Sequence, residues 1–247
     1  MTDEGTVAAQ RRSIRPLLAP TDPADALTAY YALAYNPRRV TLTLHRTPAG
    51  PVDGFVAICW TGRDLFVPLV VLRAPEQAAG DLLRRALLAG RPYTIITTPA
   101  LRQSVQEAMF LERQQINEVY TLVPSAFRPV INAMVQPGEG SFRFEIRSRD
   151  QIAAAAGVNW RSDRLAEMYV YTDPNFRARG WGKAVGAACV KALLEAHLLP
   201  LYTISEENAI SRRLAHALGF QDSGAREFEC QGQVRSQGTG AWPKSCM

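Results

Sequence analysis

The sequence predicts an α/β (α+β) fold: a mixed β-sheet flanked by helices, built as two related halves in tandem. Three observations carry this. Apolar strand-like runs alternate with amphipathic helix-like runs along most of the chain. The order strands, helix, strand, helix, strand occurs twice. Between the two occurrences lies a breaker-rich stretch, 128–141, with Pro129, Pro137, Gly138 and Gly140. The expected domains are therefore 1–135 and 136–247, related by element order and not by residue-level similarity.

The elements follow in order. Residues 22–35, "DPADALTAYYALAY", read as a helix capped by Asp22 with Pro23 in its first turn. "VTLTLHR", "PVDGFVAICW" and "DLFVPLVVL" read as three strands separated by the turns "TPAG" and "TGR". Residues 75–90 read as a helix with Pro75 near its start, a stripe of Leu82, Leu83, Ala86 and Leu87, and Gly90 as its stop. "YTIITTP" is a strand, 100–114 a helix and "INEVYTLVP" a strand.

In the second half "FRFEIR", "IAAAAGVNW" and "LAEMYVYT" are strands, the last two joined by "RSDR". After "RARGWG" a helix runs to about His197, with Val185, Ala188, Cys189, Ala192, Leu193 and Ala196 at three- and four-residue spacing. "LPLYTI" is a strand and "NAISRRLAHALGF" a helix stopped by Gly219. "FQDSGAREFECQGQV" is expected to be a hairpin around Ser223-Gly224, and the tail from Arg235 gives little signal.

With 247 residues, 47% hydrophobic and 21% charged, the chain has the composition of a globular protein. No apolar run approaches the roughly 20 residues that span a bilayer, and the start lacks the order of a secretion signal. Cys59, Cys189, Cys230 and Cys246 form no CxxC, and the three His have no metal-ligand spacing. A soluble cytoplasmic protein with reduced thiols and no metal is expected. The net charge of +5 is spread among acids, with no Lys/Arg block, and fits a phosphate-rich small ligand as well as nucleic acid. No RNA-binding motif accompanies it, so nucleic acid is not the expected partner.

The chemistry concentrates at "RARGWG", 177–182, where a strand-like run meets a helix-like one. The first amides of a helix lack intrahelical acceptors and sit at its positive end, so they can bind a phosphate. Gly180 and Gly182 allow close backbone approach; Arg177, Arg179 and Lys183 can add charge-assisted bonds. A tight turn with solvated arginines fits the six residues equally well. GxxxxGK[ST] and GxGxxG are both excluded, because Ala184 and Val185 occupy the wrong places.

The pattern Arg177-Ala178-Arg179-Gly180-Trp181-Gly182, entered by "MYVYTDP" and followed by "ENAISRRLAHALGF", resembles the acetyl-CoA-binding turn of the GNAT superfamily of N-acetyltransferases. The resemblance covers about residues 140–230. Over 1–135, where "LRAPEQAAG" replaces the glycine-arginine turn, it rests on element order alone and implies a degenerate GNAT-like repeat.

The resemblance implies acetyl-CoA as cosubstrate and an amine as acceptor. Backbone groups of Val170, Tyr171 and Thr172 would bond the pantetheine arm. The amides from Ala178 to Lys183, including those of Gly180, Trp181 and Gly182, would hold the pyrophosphate beside Arg177 and Arg179. Asn208 matches the family's CoA-contacting Asn, though an Asn at a helix head also serves as a plain N-cap. Ser211 occupies the small-residue slot one turn on.

Glu167, on the entering strand, is the candidate base that deprotonates the amine. Alternation puts it on one face with Tyr169 and Tyr171, where an exposed strand carboxylate is the competing reading. The family's usual thiolate-protonating Tyr falls at Ala215, so water, Tyr202 or Tyr171 must substitute, or the protein is a weak or inactive CoA-binding sensor. His216 faces elsewhere on the helix. The first half is read as the source of acceptor specificity or of a dimer surface.

Overall fold

The computed structural model describes residues 4–62 and 64–235. The tail beyond Arg235, with Cys246, lies outside the described residues. In chain order the first elements are α1 (Glu4–Ile14), α2 (Ala26–Ala29) continued by a π-helical turn (Tyr30–Ala34), β1 (Val40–Arg46), β2 (Val52–Cys59), β3 (Leu69–Arg73), α3 (Glu76–Ala86), β4 (Pro92–Thr97), α4 (Arg102–Ala108) and β5 (Met109–Leu122). Then come β6 (Gln136–Pro137), β7 (Phe144–Ser148), β8 (Gln151–Arg161), β9 (Leu165–Thr172), α5 (Trp181–Glu195), β10 (Leu199–Ser205), α6 (Ala209–Leu218) and β11 (Phe220–Val234).

By contacts the chain forms two compact units, and neither is a contiguous half. The first contains residues up to 17, 36–114 and from 228 onward; the second contains 18–35 and 115–227. These units follow contacts, whereas 1–135 and 136–247 follow the composition of the connecting stretch.

In the first unit β1, β2 and β3 pair antiparallel, and β3 pairs parallel with β4. The end of β11 pairs antiparallel with β4, from Phe228 opposite Thr97 to Gln233 opposite Pro92. Helices α1 and α3 both pack on β1 and β2. Of the predicted stripe, Leu82 and Leu83 of α3 and Leu87 just past its end are buried together with Phe55, Leu72 and Ile95, while Ala86 is half-buried.

The second unit repeats the scheme. Strands β7, β8 and β9 pair antiparallel, β9 pairs parallel with β10, and β10 pairs antiparallel with β5. Its core is Ile146, Met168, Val185, Val190, Leu193, Leu218 and Phe220. The mixed sheet and flanking helices predicted from sequence are present, and so is the tandem scheme. Each unit takes a strand from the other repeat: β4 pairs with β11, and β10 with β5.

This exchange explains two corrections. Residues 100–114 are not one helix: α4 ends at Ala108, Met109 is extended (φ −131°, ψ 154°) and β5 begins there. A β-carbon at Gly232 would collide with the Phe110 carbonyl, so β5 and β11 lie in close contact at this point. Pairing with a distant strand overrides the local helical pattern. Nor does 220–234 fold back as a hairpin; it is one 15-residue strand. Gly224 takes φ +81°, its amide donates to Asp222 Oδ1 at 2.9 Å, and Ser223 Oγ donates to the Val119 carbonyl at 2.6 Å. The turn chemistry is spent on a local irregularity.

Three smaller differences concern helix ends and starts. Asp22 does not cap the helix; its Oδ1 accepts from the Ala24 amide at 2.9 Å, and α2 begins at Ala26. Helix α3 ends at Ala86, before the expected stop at Gly90. Helix α1, which the sequence pattern did not announce, buries Val7 and Ile14 completely.

Candidate active site

In the second unit, β9 and β10 part company. Their ladder holds Leu165 opposite Leu199, Ala166 opposite Pro200 and Glu167 opposite Leu201, and ends there. Beyond it β9 pairs only with β8 as far as Thr172, and β10 only with β5 as far as Ser205. A wedge therefore opens beside Glu167. One backbone edge of Val170, Tyr171 and Thr172 lies along the wedge, freed from sheet pairing. Val170 packs on the core, Tyr171 is exposed and Thr172 is half-buried.

Strand β9 runs into the glycine-arginine loop. Asp173 Oδ1 accepts from the Asn175 amide at 2.9 Å and starts a single 3-10 turn, Pro174–Phe176. Ala178 and Gly180 then take φ +61° and +73°, reversing the chain just before α5. A left-handed alanine is costly, and such strain gathers at functional sites. The result is a concave run of amides. Among the described residues the N–H groups from Ala178 to Lys183 bond no acceptor, and the first helical bond is Ala184 N–H to the Gly180 carbonyl at 3.0 Å.

The two glycines have different reasons. Open space surrounds Gly180, whose requirement is its left-handed backbone. A β-carbon on Gly182 would stand 2.6 Å from Thr172 Oγ1, so this glycine lets α5 pack onto β9. Of the basic side chains, Arg177 Nε donates to the Thr172 carbonyl at 3.5 Å, which is long. Arg179 lies 5.4 Å from the Phe176 ring and 5.2 Å from the Trp181 ring, which stack on each other at 5.5 Å. Lys183 is half-buried at the helix head.

Helix α6 starts at the expected place. Asn208 is its N-cap, with Oδ1 accepting from the Ser211 amide at 3.0 Å. The capping role is thus present, and Nδ2 has no partner among the described residues. Ala215 is fully buried, so no phenol is offered at that position. Ser211 shares a helix face with Ala215, and its hydroxyl draws down the pKa of the phenol of Tyr202, the first residue of β10 past the last rung with β9. Burial pushes the Tyr202 phenol above the ordinary tyrosine range, so it keeps its proton. His216 is exposed and meets Tyr120 edge-on at 5.5 Å, a packing role.

Glu167 is buried, 8% exposed, which excludes the exposed-carboxylate reading. Ala166 and Met168 join the core under α5, so Glu167 and Tyr169 face the opposite side of β9. A bulge in β8 between Val158 and Trp160 sets Trp160 directly opposite Glu167. Trp160 is buried and stacks on Tyr30 of the π-helical turn at 5.3 Å, yet its indole N–H has no hydrogen-bond partner among the described residues. Arg143 donates to Tyr169 Oη at 3.0 Å and to Glu145 at 2.6 Å. That bond, with a second from Arg147, holds the Glu145 carboxyl below the usual carboxylate range despite its burial. Trp160, Tyr30 and Arg143 were not singled out from sequence; the only local signals were a Trp inside a small-residue strand and the tyrosines of "YYALAY".

Cys59, Cys189 and Cys230 are buried, and burial pushes each thiol up to about 12, far from nucleophilic use. Among the described residues no helix is long and apolar enough to cross a membrane.

Residues 139–227, which carry the wedge, the loop and both helices, match the family model of the GNAT acetyltransferase. They are a GNAT domain. Solved GNAT structures extend the likeness to nearly the whole chain. A tandem GNAT protein from the clavulanic acid biosynthesis pathway is 13% identical, with a TM-score of 0.58 over 96% of this chain and 97% of that one. A GCN5-related N-acetyltransferase from Kribbella flavida is 16% identical, with a TM-score of 0.60 over 87% and 97%. A GCN5-related N-acetyltransferase-like protein from Streptococcus suis is 13% identical, with a TM-score of 0.60 over 92% and 99%. At such identities the likeness is one of fold. No curated protein matches the sequence. GNAT membership of 139–227 supports acyl transfer as the general activity.

Proposed function

We propose that this protein is an acetyl-CoA-dependent N-acetyltransferase, acting in the cytoplasm on an amine of a small molecule or a protein. The carrying observation is the meeting, within one unit, of acceptor-free amides at the head of α5 with a strand pair whose ladder ends at Glu167. A pyrophosphate fits this cradle in charge and hydrogen-bond sense, because the loop offers donors and the cations Arg177, Arg179 and Lys183. On this reading 136–247 carries the acetyl-CoA site. Val170, Tyr171 and Thr172 offer backbone groups to the pantetheine arm, and Asn208 Nδ2 and the Ser211 face border it.

Bound acetyl-CoA supplies an activated thioester. The chain's own residues move the protons. Glu167 takes one from the acceptor amine, making it nucleophilic. The Tyr202 phenol, reaching the Ser211–Ala215 face, returns one to the departing sulfur in place of the tyrosine that Ala215 lacks. Residues 1–135 form the degenerate repeat: α3 there begins behind Pro75 with Glu76 in its first turn, which disfavours an anion.

The test is acetyl-CoA titration beside a thiol-release assay over a panel of amines. Glu167→Gln is expected to lower kcat by about 10² or more while leaving acetyl-CoA affinity intact. Tight binding with no release from any amine would replace this reading with that of a CoA-binding sensor.

A further inference from the structure

The first unit holds a cleft built from other elements than the wedge and the α5 loop. It measures about 1010 Å³ and lies between the β1–β2 hairpin and the outer face of α3. That is at the top of the range of roughly 300–1,000 Å³ typical of small-molecule sites.

The hairpin is shaped to place chemistry in it. His45 pairs with Gly54 and Arg46 with Val52, so Asp53 is an extra, unpaired residue in β2. Such a bulge re-aims side chains. Here it brings Asp53 Oδ1 to 2.6 Å from His45 Nδ1, and both residues line the cleft. Asp53 thereby fixes the ring and leaves Nε2 as its remaining polar atom.

Charge in the cleft is unbalanced. Arg84 is neutralised by Asp81 at 2.7 Å and His45 is held by Asp53. Arg46 on the hairpin and Arg85 on α3 have no carboxylate partner among the described residues, and they stand on opposite walls. Arg46 donates only to the Gly50 carbonyl, at 3.0 Å.

We propose that this cleft is a second ligand site, for a small organic anion whose phosphate or carboxylate oxygens bridge Arg46 and Arg85. The fixed His45 ring forms the floor beside it. The site stands apart from the acetyl-CoA reading, since none of its residues belongs to the GNAT domain.

Pyrophosphate and citrate are the probes, titrated into the full chain by calorimetry while the imidazole signals are followed by NMR. The chain has three histidines, His45, His197 and His216, so the ring signals can be assigned one by one. The proposal expects at least one probe to shift the His45 ring alone. It expects the Arg46→Ala/Arg85→Ala variant to weaken that probe at least tenfold, with acetyl-CoA affinity unchanged. Arg177→Ala/Arg179→Ala should leave the His45 shift intact, which separates this site from the α5 cradle. No binding of either probe at millimolar concentration, a shift at His197 or His216 only, or full affinity in Arg46→Ala/Arg85→Ala each overturns it.

Discussion

Gly182 and Thr172 are in such close contact that a β-carbon on the glycine would stand 2.6 Å from the threonine hydroxyl oxygen. Alanine would otherwise be the better residue in the first turn of α5, by about 0.5–1 kcal/mol. Overpacking costs about 1–3 kcal/mol, and the Thr172 hydroxyl sits on a stiff β-branched side chain that cannot swing away freely. Gly182→Ala is therefore expected to lower stability in urea denaturation. In a Thr172→Ala background the obstruction is gone and the same change should stabilise. A stabilising Gly182→Ala in the native background would show that the contact does not constrain the helix.

The cap on α6 gives a second, separable effect. Asn208 Oδ1 satisfies the Ser211 amide, so Asn208→Ala should cost about 1 kcal/mol of stability. Asn208→Asp keeps the cap and removes the Nδ2 donor. If Asn208 also touches CoA, the Asp variant will fold as the wild type does and bind acetyl-CoA several-fold more weakly. Calorimetry and thermal denaturation on the two variants separate these roles.

What could be read in the sequence was local. The "RARGWG" loop, the Asn208 cap and the face shared by Glu167 and Tyr169 each depend on neighbours within a few residues, and periodicity or backbone chemistry reveals them. What escaped was set by partners far along the chain. The pattern of 100–114 is helical until β11 claims Met109 onward, and "DSG" at 222–224 is a hairpin turn by composition but lies inside one strand. Trp160 faces Glu167 because of a bulge at 158–160, and no spacing rule announces a bulge. The contact between Gly182 and Thr172 likewise joins a helix to a strand, and the loop alone does not show it.

Acid should expose the Arg143–Glu145 pair. Its hydrogen bond from Arg143 lowers the folded-state pKa of Glu145 below the unfolded value. The pair's contribution is then complete above the ordinary glutamate pKa of about 4.3 and is lost as pH falls through the depressed folded value. Glu145→Gln removes that dependence. The stability gap between wild type and Glu145→Gln should hold constant from neutral pH down to about pH 5, then narrow on further acidification. Urea midpoints across that range test it; a gap that widens in acid has the wrong sign for this pair.

The phenol of Tyr202 offers the sharpest chemical test, because its protonation state is set by burial. An acid must hold its proton at working pH, and burial raises this phenol above the ordinary tyrosine value of about 10. Activity that depends on it should show no alkaline loss from this group below that value. Tyr202→Phe keeps the ring that packs on Phe220 and deletes only the proton donor. It is expected to lower kcat by about 10² at every pH assayed, with the KM for acetyl-CoA unchanged. Ser211→Ala removes the hydroxyl that draws the phenol's pKa down, so it should move any alkaline limb to higher pH without the full loss. Should Tyr202→Phe turn over at the wild-type rate, the proton reaches the sulfur from water, and Ala215 marks a site that works without a side-chain acid.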